Sequence, residues 1–500
     1  MEVVKNKKYG AHILALPYPS QGHINPMHQF CKRLVSKGLK TTLAITTFIS
    51  NSTRPIPTTV VGIETVSDGF DRGGYAEAES VAAYLERFEE IGSKTLANLI
   101  KKYEKMELPI TCIMYDAFMP WALDVAKEHG LIGACFFTQA CTVNYIYYYV
   151  HHGKLMLPIS STPVKIPGLP HQLQLQDMPS FIYKHGTYPA YFELVLNQFR
   201  NVDKADYVFV NSFYKLEAEV ADRMAKFSPL YTIRATLPSF YMDNRVENDI
   251  ERGLNLLQVA DTMAKFSPLY TIGPTLPSFY MDNRIENDIE YGLNLFHVDN
   301  ASTCINWLNT KPEGSVVYAA FGSMSSFDKN QIEEIAHGLK ATNSYFLWVI
   351  PTSELEAKIP EKIIEETRAK GLVIKWSPQL RVLSNKAIGC FFSHGGWNST
   401  VEALSFGVPM VVMPQWTDQT TNAKLVQDVW CVGVRTKVND EGIVVREEIE
   451  ECVNKVLKGE EGKEMKKNAI KWKDLAKEAV DEGGTTDRNI EEFVSKCTMI

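Results

Sequence analysis

Five hundred residues, 45% of them hydrophobic and 11% aromatic, are enough for a full core and predict two or three domains. A formal charge of -7 and a pI near 6.0 leave no basic surplus for a phosphate backbone, which argues against nucleic acid as a partner. No run approaches the roughly 18 apolar residues of a membrane span, so no stable membrane insertion is expected. Nine cysteines without metal-ligand spacing read as reduced, buried thiols of a cytoplasmic protein.

The first apolar run, residues 12–16, ends in Pro17; it is too short for a secretion signal and reads as a buried strand. A Gly/Pro loop over 17–26 leads to a helix over about 27–37 and a strand over 39–46. Residues 110–115 form the next strand, followed by Asp116 and a helix through 121–129, and 207–211 a later strand. Residues 221–259 recur 39 residues later, at 260–298, with few changes. One such copy is no solenoid. Only the second copy carries the turn pair Gly273-Pro274 where the first has Arg234-Ala235, so the second is expected to be the structural one. After a Pro/Asn/Asp-rich stretch over 274–300 the alternation restarts: strand 315–321, helix 328–339, strands 345–350 and 372–376. The expected fold class is α/β, two domains with parallel sheets facing across a cleft, each giving loops from its strands' carboxyl ends. Three sequons, at Asn51, Asn300 and Asn398, carry no weight without secretion, and Cys497-Thr-Met-Ile500 is an atypical prenylation box.

The strongest local signal is WSPQLRVLSNKAIGCFFSHGGWNSTVEALSFGVPMVVMPQWTDQ, residues 376–419. A buried strand over 389–392, a Gly-containing turn over 393–397 and a helix from Asn398 make an anion site, because free N–H groups and the helix dipole point at the turn. His394 adds a donor, Ser399 and Thr400 add hydroxyls, and Asn398 is expected to cap the helix. Trp376, expected at a strand end, offers a flat face, and Gln379 an amide. Asp418 and Gln419 pair a carboxylate with an amide after the strand 410–413, a combination suited to sugar hydroxyls. In the first half, His23 in its loop and Asp116 after its strand share the carboxyl edge of one sheet, where an aspartate orients a histidine base.

The 376–419 segment resembles the plant secondary product glycosyltransferase signature of family 1, the UDP-dependent glycosyltransferases of GT-B fold. The likeness extends through PYPSQGHINP at 17–26, YDAFMPWALDVA at 115–126, VVYAAFGSMSS and DEGGTTDRNIEEFVSK. It is nearest the subgroup that glucosylates salicylate, related small carboxylates and some terpenoids. The resemblance implies an acceptor-binding Rossmann-like domain over 1–273, a linker over 274–300, a UDP-sugar-binding domain over 301–480 and a helix over 481–500 that returns to the first domain. It implies His23 as catalytic base with Asp116, and Ser20 and Gly22 beside the acceptor. Trp376 would stack on uracil, Gln379 lie near the base and Glu402 hold the ribose. His394, Asn398, Ser399 and Ser323 would hold the diphosphate, and Trp397, Asp418 and Gln419 face the sugar, the terminal Gln pointing to glucose. UDP-glucose enters as donor substrate and a small apolar or aromatic molecule as acceptor. No cofactor or metal is implied, and the protein is expected to be a monomer. One departure is Gly395, where the family has Cys. The rival readings are a nicotinamide oxidoreductase, which lacks its Gly-x-Gly-x-x-Gly after the first strand, and a binding remnant inactivated by the duplication.

Overall fold

A computed structural model describes residues 9–52, 60–169, 172–227, 269–286, 288, 291, 301–322, 325, 327–350, 365 and 367–499. The first sheet is wholly parallel, with strands β1 (His12–Leu16), β2 (Lys40–Thr46), β3 (Gly62–Val66), β4 (Cys112–Asp116), β5 (Ile132–Phe137), β6 (Tyr207–Val210) and β7 (Leu269–Thr271) in the order β3-β2-β1-β4-β5-β6-β7. The second has β8 (Val316–Ala320), β9 (Tyr345–Val349), β10 (Gly371–Ile374), β11 (Ile388–Ser393), β12 (Met410–Val412) and β13 (Gly433–Arg435) in the order β10-β9-β8-β11-β12-β13. Strands such as HILAL and VVYAA are buried at every position, as strands covered by helices on both faces must be. Both are doubly wound sheets of the Rossmann type, and together they make the GT-B architecture.

Each order reverses at one place: between β1 and β4 in the first sheet, and between β8 and β11 in the second. Chains leaving the two strands at such a point diverge to opposite faces and open a crevice at the carboxyl edge. The helices that matter are α1 (Gln21–Ser36), α2 (Cys141–His151), α3 (Ala218–Phe227), α4 (Lys329–Ala341), α5 (Trp397–Phe406), α6 (Gln419–Lys424) and α7 (Thr485–Thr498). Helix α1 leaves β1 and α5 leaves β11, so each begins at its sheet's crevice.

The first helix begins six residues earlier than the sequence suggests, and His23 lies in its first turn rather than in a loop. Pro26 was the misleading signal. A proline this near the start removes only one intrahelical bond, the one its N–H would have made to the Gly22 carbonyl. Described residues of the 274–300 stretch bond to the first helix. Asp282 pairs with Arg33 at 2.8 Å, and Asp288 accepts from Gln29 at 2.5 Å and Lys32 at 2.9 Å, fixing the segment on α1.

The duplication is used in part from each copy. Strand β7 and the Gly273-Pro274 exit come from the second copy, as expected, but α3 runs through Ala221–Phe227 of the first. The rest of the first copy lies outside the described residues. Helix α7 returns to the first sheet, where Phe493 packs on Tyr207 and Phe209 with ring centroids 5.0 Å apart and Asn489 donates to the Thr271 carbonyl at 2.9 Å. Cys497 of the prenylation-like ending is buried there, and burial pushes its thiol up to about 12. Among the described residues no helix is long and apolar enough to cross a membrane.

Candidate active site

The crevice of the first sheet holds a histidine–aspartate pair. His23 Nδ1 lies 2.7 Å from Asp116 Oδ2. Asp116 is the last residue of β4, not the residue after it, and is 1% exposed. Its second oxygen accepts from the Phe118 N–H at 3.0 Å, so it closes a local turn instead of capping the helix that follows, whose N-cap is Pro120. A carboxylate only accepts, so Nδ1 carries the ring proton and Nε2 is left with a free lone pair, the arrangement of an oriented base. Thr138, just past β5, adds its hydroxyl 3.2 Å from the same Nδ1. Tyr18 and Phe118 flank the imidazole at 5.3 and 4.9 Å between centroids, giving it an aromatic wall. Ser20 is the N-cap residue of α1 and makes no capping bond with its hydroxyl, and Gly22 is exposed beside it.

The crevice of the second sheet is built around the start of α5. Its N-cap is Gly396, not Asn398, which sits one residue inside the first turn. The imidazole of His394 fills the space left by two glycines: a Cβ on Gly322 would stand 2.8 Å from its Nε2, and one on Gly396 only 2.5 Å away. Burial pulls the His394 pKa down to about 4, so it is neutral at pH 7, with its Nδ1 3.3 Å from Ser393 Oγ. Gly395 adopts φ +80° and a Cβ there would meet Val412 Cγ1 at 2.5 Å. Glycine therefore suits this turn in the present chain, and it does not loosen it.

A buried polar chain continues from there. Tyr318 shares hydrogen bonds with Ser377 at 2.9 Å and the Gln379 carbonyl oxygen at 3.1 Å, while Gln379 Nε2 donates to Ser399 at 3.1 Å and Glu402 at 2.6 Å. Burial raises the Glu402 pKa to about 7 against the opposing pull of Gln379. A carboxylate held this far from water gains most from further hydroxyl donors. Trp376 lies two residues beyond the end of β10, half-buried in the connecting loop. Ser323 lies outside the described residues.

Asp418 and Gln419 open α6. Gln419 Oε1 accepts from the N–H groups of Gln415 at 2.9 Å and Trp416 at 3.2 Å, which orients its NH₂ group for donation. Asp418 accepts from Thr417 at 2.5 Å and Asn422 at 2.7 Å; burial raises its pKa, and those two hydrogen bonds oppose the rise.

Two residues of the signature serve the junction. The Trp397 indole is 4% exposed and donates to the Asn211 carbonyl at 2.7 Å, so its side chain does not line the cleft. Asn398 Nδ2 donates to the Gly22 carbonyl at 2.7 Å, the acceptor that Pro26 left free, and its own carbonyl faces Asn211 at 3.4 Å. Asn211, Thr138 and Tyr318 were not identified from sequence. Thr138 and Asn211 both follow first-sheet strands, as Asp116 ends one, so the same edge rule would have found them. Among the described residues no three His, Cys, Asp or Glu side chains gather as metal ligands.

Comparisons with known proteins agree with this geometry. A model of the family "UDP-glucoronosyl and UDP-glucosyl transferase" matches residues 292–480. The chain is 52% identical to UDP-glycosyltransferase 74F2 of Arabidopsis thaliana, over 97% of this chain and 98% of that one. It is 50% identical to flavonol 7-O-beta-glucosyltransferase UGT74F1 of the same plant, over 99% and 100%. The crystal structure of Os79 from O. sativa with UDP superposes with a TM-score of 0.85 at 36% identity, covering 97% of this chain and 100% of that one. With a two-sheet cleft, a helix N-terminus facing a histidine–aspartate pair, and relatives matched from end to end, the chain belongs to the plant family 1 UDP-glycosyltransferases.

Proposed function

We propose that the protein transfers glucose from UDP-glucose to a hydroxyl or carboxyl of a small aryl acid, phenol or terpenoid, with inversion and without a metal, as a cytoplasmic monomer. The observation that carries the mechanism is the His23–Asp116 pair at 2.7 Å, set across the cleft from the start of α5. His23 Nε2 takes the acceptor's O–H proton as that oxygen attacks the anomeric carbon; the bond from that carbon to the UDP oxygen breaks, and UDP departs with its electron pair. Asp116 supports the imidazolium so formed. The helix N-terminus, His394, Asn398, Ser399 and Ser323 take the charge of the leaving diphosphate. Trp376 stacks on uracil, Gln379 lies near the base and Glu402 accepts from the ribose. Asp418 and Gln419 bind the glucose hydroxyls; Trp397 contributes there through its main chain. Ser20 and Gly22 border the acceptor.

A flavonol glucosyltransferase among the relatives supports a phenolic acceptor, and the aromatic wall of Tyr18 and Phe118 supports an aromatic one. The test is incubation with UDP-glucose and a panel of aryl carboxylates, phenols and terpenoids, read by mass spectrometry. Glucosides in at least one class support the proposal, and UDP-glucose left intact with every class contradicts it.

A further inference from the structure

Among the described residues only four besides glycine have positive φ, and one of them, Thr417 at +56°, immediately precedes Asp418. A β-branched residue is a poor occupant of that region, because its Cβ substituents crowd the backbone. Something must hold it. Thr417 makes a reciprocal pair with Ser180 of the opposite domain: its N–H donates to Ser180 Oγ at 2.7 Å, and its carbonyl accepts from the Ser180 N–H at 2.8 Å. Ser180 opens a one-turn helix, Ser180–Tyr183, so its N–H has no intrahelical acceptor and is available for the bond. The serine is 1% exposed. Around the pair, Phe181 meets Trp416 edge-on at 6.0 Å, and Thr420 and Thr421 donate to the carbonyls of Met178 and Asp177, each at 2.7 Å. Arg435 closes the end with an ion pair to Asp177 at 2.9 Å.

We propose that Ser180 is a positioning residue for the donor sugar. It clamps the Trp416–Asp418 turn in a conformation the turn would not hold alone, and so aims Asp418 and Gln419. The inference rests on the reading that these two residues bind the sugar. Its consequence is an asymmetry between the parts of the donor. The residues assigned to uridine, Trp376, Gln379 and Glu402, all stand in the second domain, whereas sugar recognition needs the two domains docked.

The experiment compares UDP, UDP-glucose and UDP-galactose on the full-length enzyme. Ser180→Ala should lower kcat/KM for UDP-glucose about five- to tenfold, mainly through KM, and narrow the glucose-over-galactose preference, the size expected when one buried hydrogen-bonded pair is broken. The Kd for UDP should stay within about twofold, since UDP has no sugar to misplace. Ser180→Thr, which keeps the hydroxyl, should restore the preference. Thr421→Val, which removes a neighbouring interdomain bond without touching the turn, should leave it unchanged. Equal losses for UDP and UDP-glucose, or no loss in either, overturn the proposal. Should Ser180→Ala fail to fold, shown by no thermal shift with UDP, Ser180→Cys replaces the hydroxyl by a near-isosteric but weak acceptor; it must show the same split between UDP and UDP-glucose, and its absence overturns the clamp. Asp418→Asn separates the two layers. No effect on sugar preference from that variant removes the sugar reading and the clamp with it, while an effect from Asp418→Asn but none from Ser180→Ala removes the clamp alone.

Discussion

The two crevices of this enzyme occupy equivalent positions in their sheets yet are built in opposite ways. The second-domain crevice is nearly continuous in the chain: His394, Asn398, Ser399 and Glu402 lie within one strand–turn–helix unit, and a helix start presents its N–H groups there. The first-domain site is assembled from parts far apart in sequence, the first turn of α1, the end of β4 and the residue after β5, with His23, Asp116 and Thr138 meeting at one nitrogen. A contiguous unit binds a constant ligand through backbone groups that substitution scarcely alters. A composite of side chains from separate elements leaves the surrounding wall free to vary, as a site for varied acceptors requires.

If that contrast is sound, the largest effect of any single substitution falls on the composite site. His23→Ala should reduce kcat/KM for a phenol by about a hundred- to ten-thousandfold, the usual worth of a general base, and Asp116→Asn should do the same more weakly. UDP affinity by calorimetry should stay constant in both, and a parallel loss of UDP binding would show the two crevices to be one fold-dependent unit.

The contiguous site should answer next, through binding. Glu402→Ala should weaken UDP-glucose by about ten- to a hundredfold, since charged hydrogen bonds to two ribose hydroxyls contribute about 1.5–3 kcal/mol each and part is recovered by water. Its pH dependence carries a definite sign. With the folded-state pKa raised to about 7, the free protein keeps Glu402 protonated below that value, whereas hydroxyl donors favour the carboxylate. UDP-glucose binding should therefore tighten as pH rises from 6 to 8, and Glu402→Gln should flatten the profile. For folding the sign is opposite: the raised pKa favours the folded state at low pH, and that contribution is lost as pH rises from the ordinary carboxylate range through 7. A profile for the Gln variant that matches the wild type would reject Glu402 as the group concerned.

Smaller still is the effect at Gln419, where His should shift the glucose-to-galactose ratio by several-fold, about 1 kcal/mol, with little change in UDP affinity. An unchanged ratio would remove Gln419 from sugar choice.

The same contrast explains what could be read in advance. The alternation of β-branched runs and amphipathic segments located strands of both sheets but left β3, β5 and β13 unread, and the strand–turn–helix of the 376–419 segment was legible as such. Three details escaped. Pro26 hid the first turn of α1, because a proline's usual meaning as a helix breaker fails where its lost bond leaves a carbonyl that Asn398 takes up. Trp397 and Asn398 also bond across the domain junction, a contact that no local pattern reveals for a side chain. Ser180 gave no local signal: its importance depends on the φ of a residue 237 positions away.

The smallest effect is expected from the duplication. Removing residues 228–266 joins Phe227 to Ser267 in the register of the repeat, keeps α3 and β7 intact, and shortens the chain between them, whose closure entropy grows slowly with length. Melting temperature and turnover should be unchanged or slightly raised; loss of soluble protein would show that the extra copy supports the fold.

The central claim is that His23 acts as a base and not merely as a binding group, and acceptor acidity tests it. A phenol with a pKa near 10 is protonated at pH 7 and must lose its proton during attack, whereas a carboxylic acid with a pKa near 4 is already an anion. The measurement is kcat/KM for wild type and His23→Ala on a phenol and an aryl carboxylate in the same buffer. The account predicts a far greater loss on the phenol, with Asp116→Asn showing the same split more weakly. Equal losses on both acceptors would contradict it and leave His23 as a residue that only positions the acceptor.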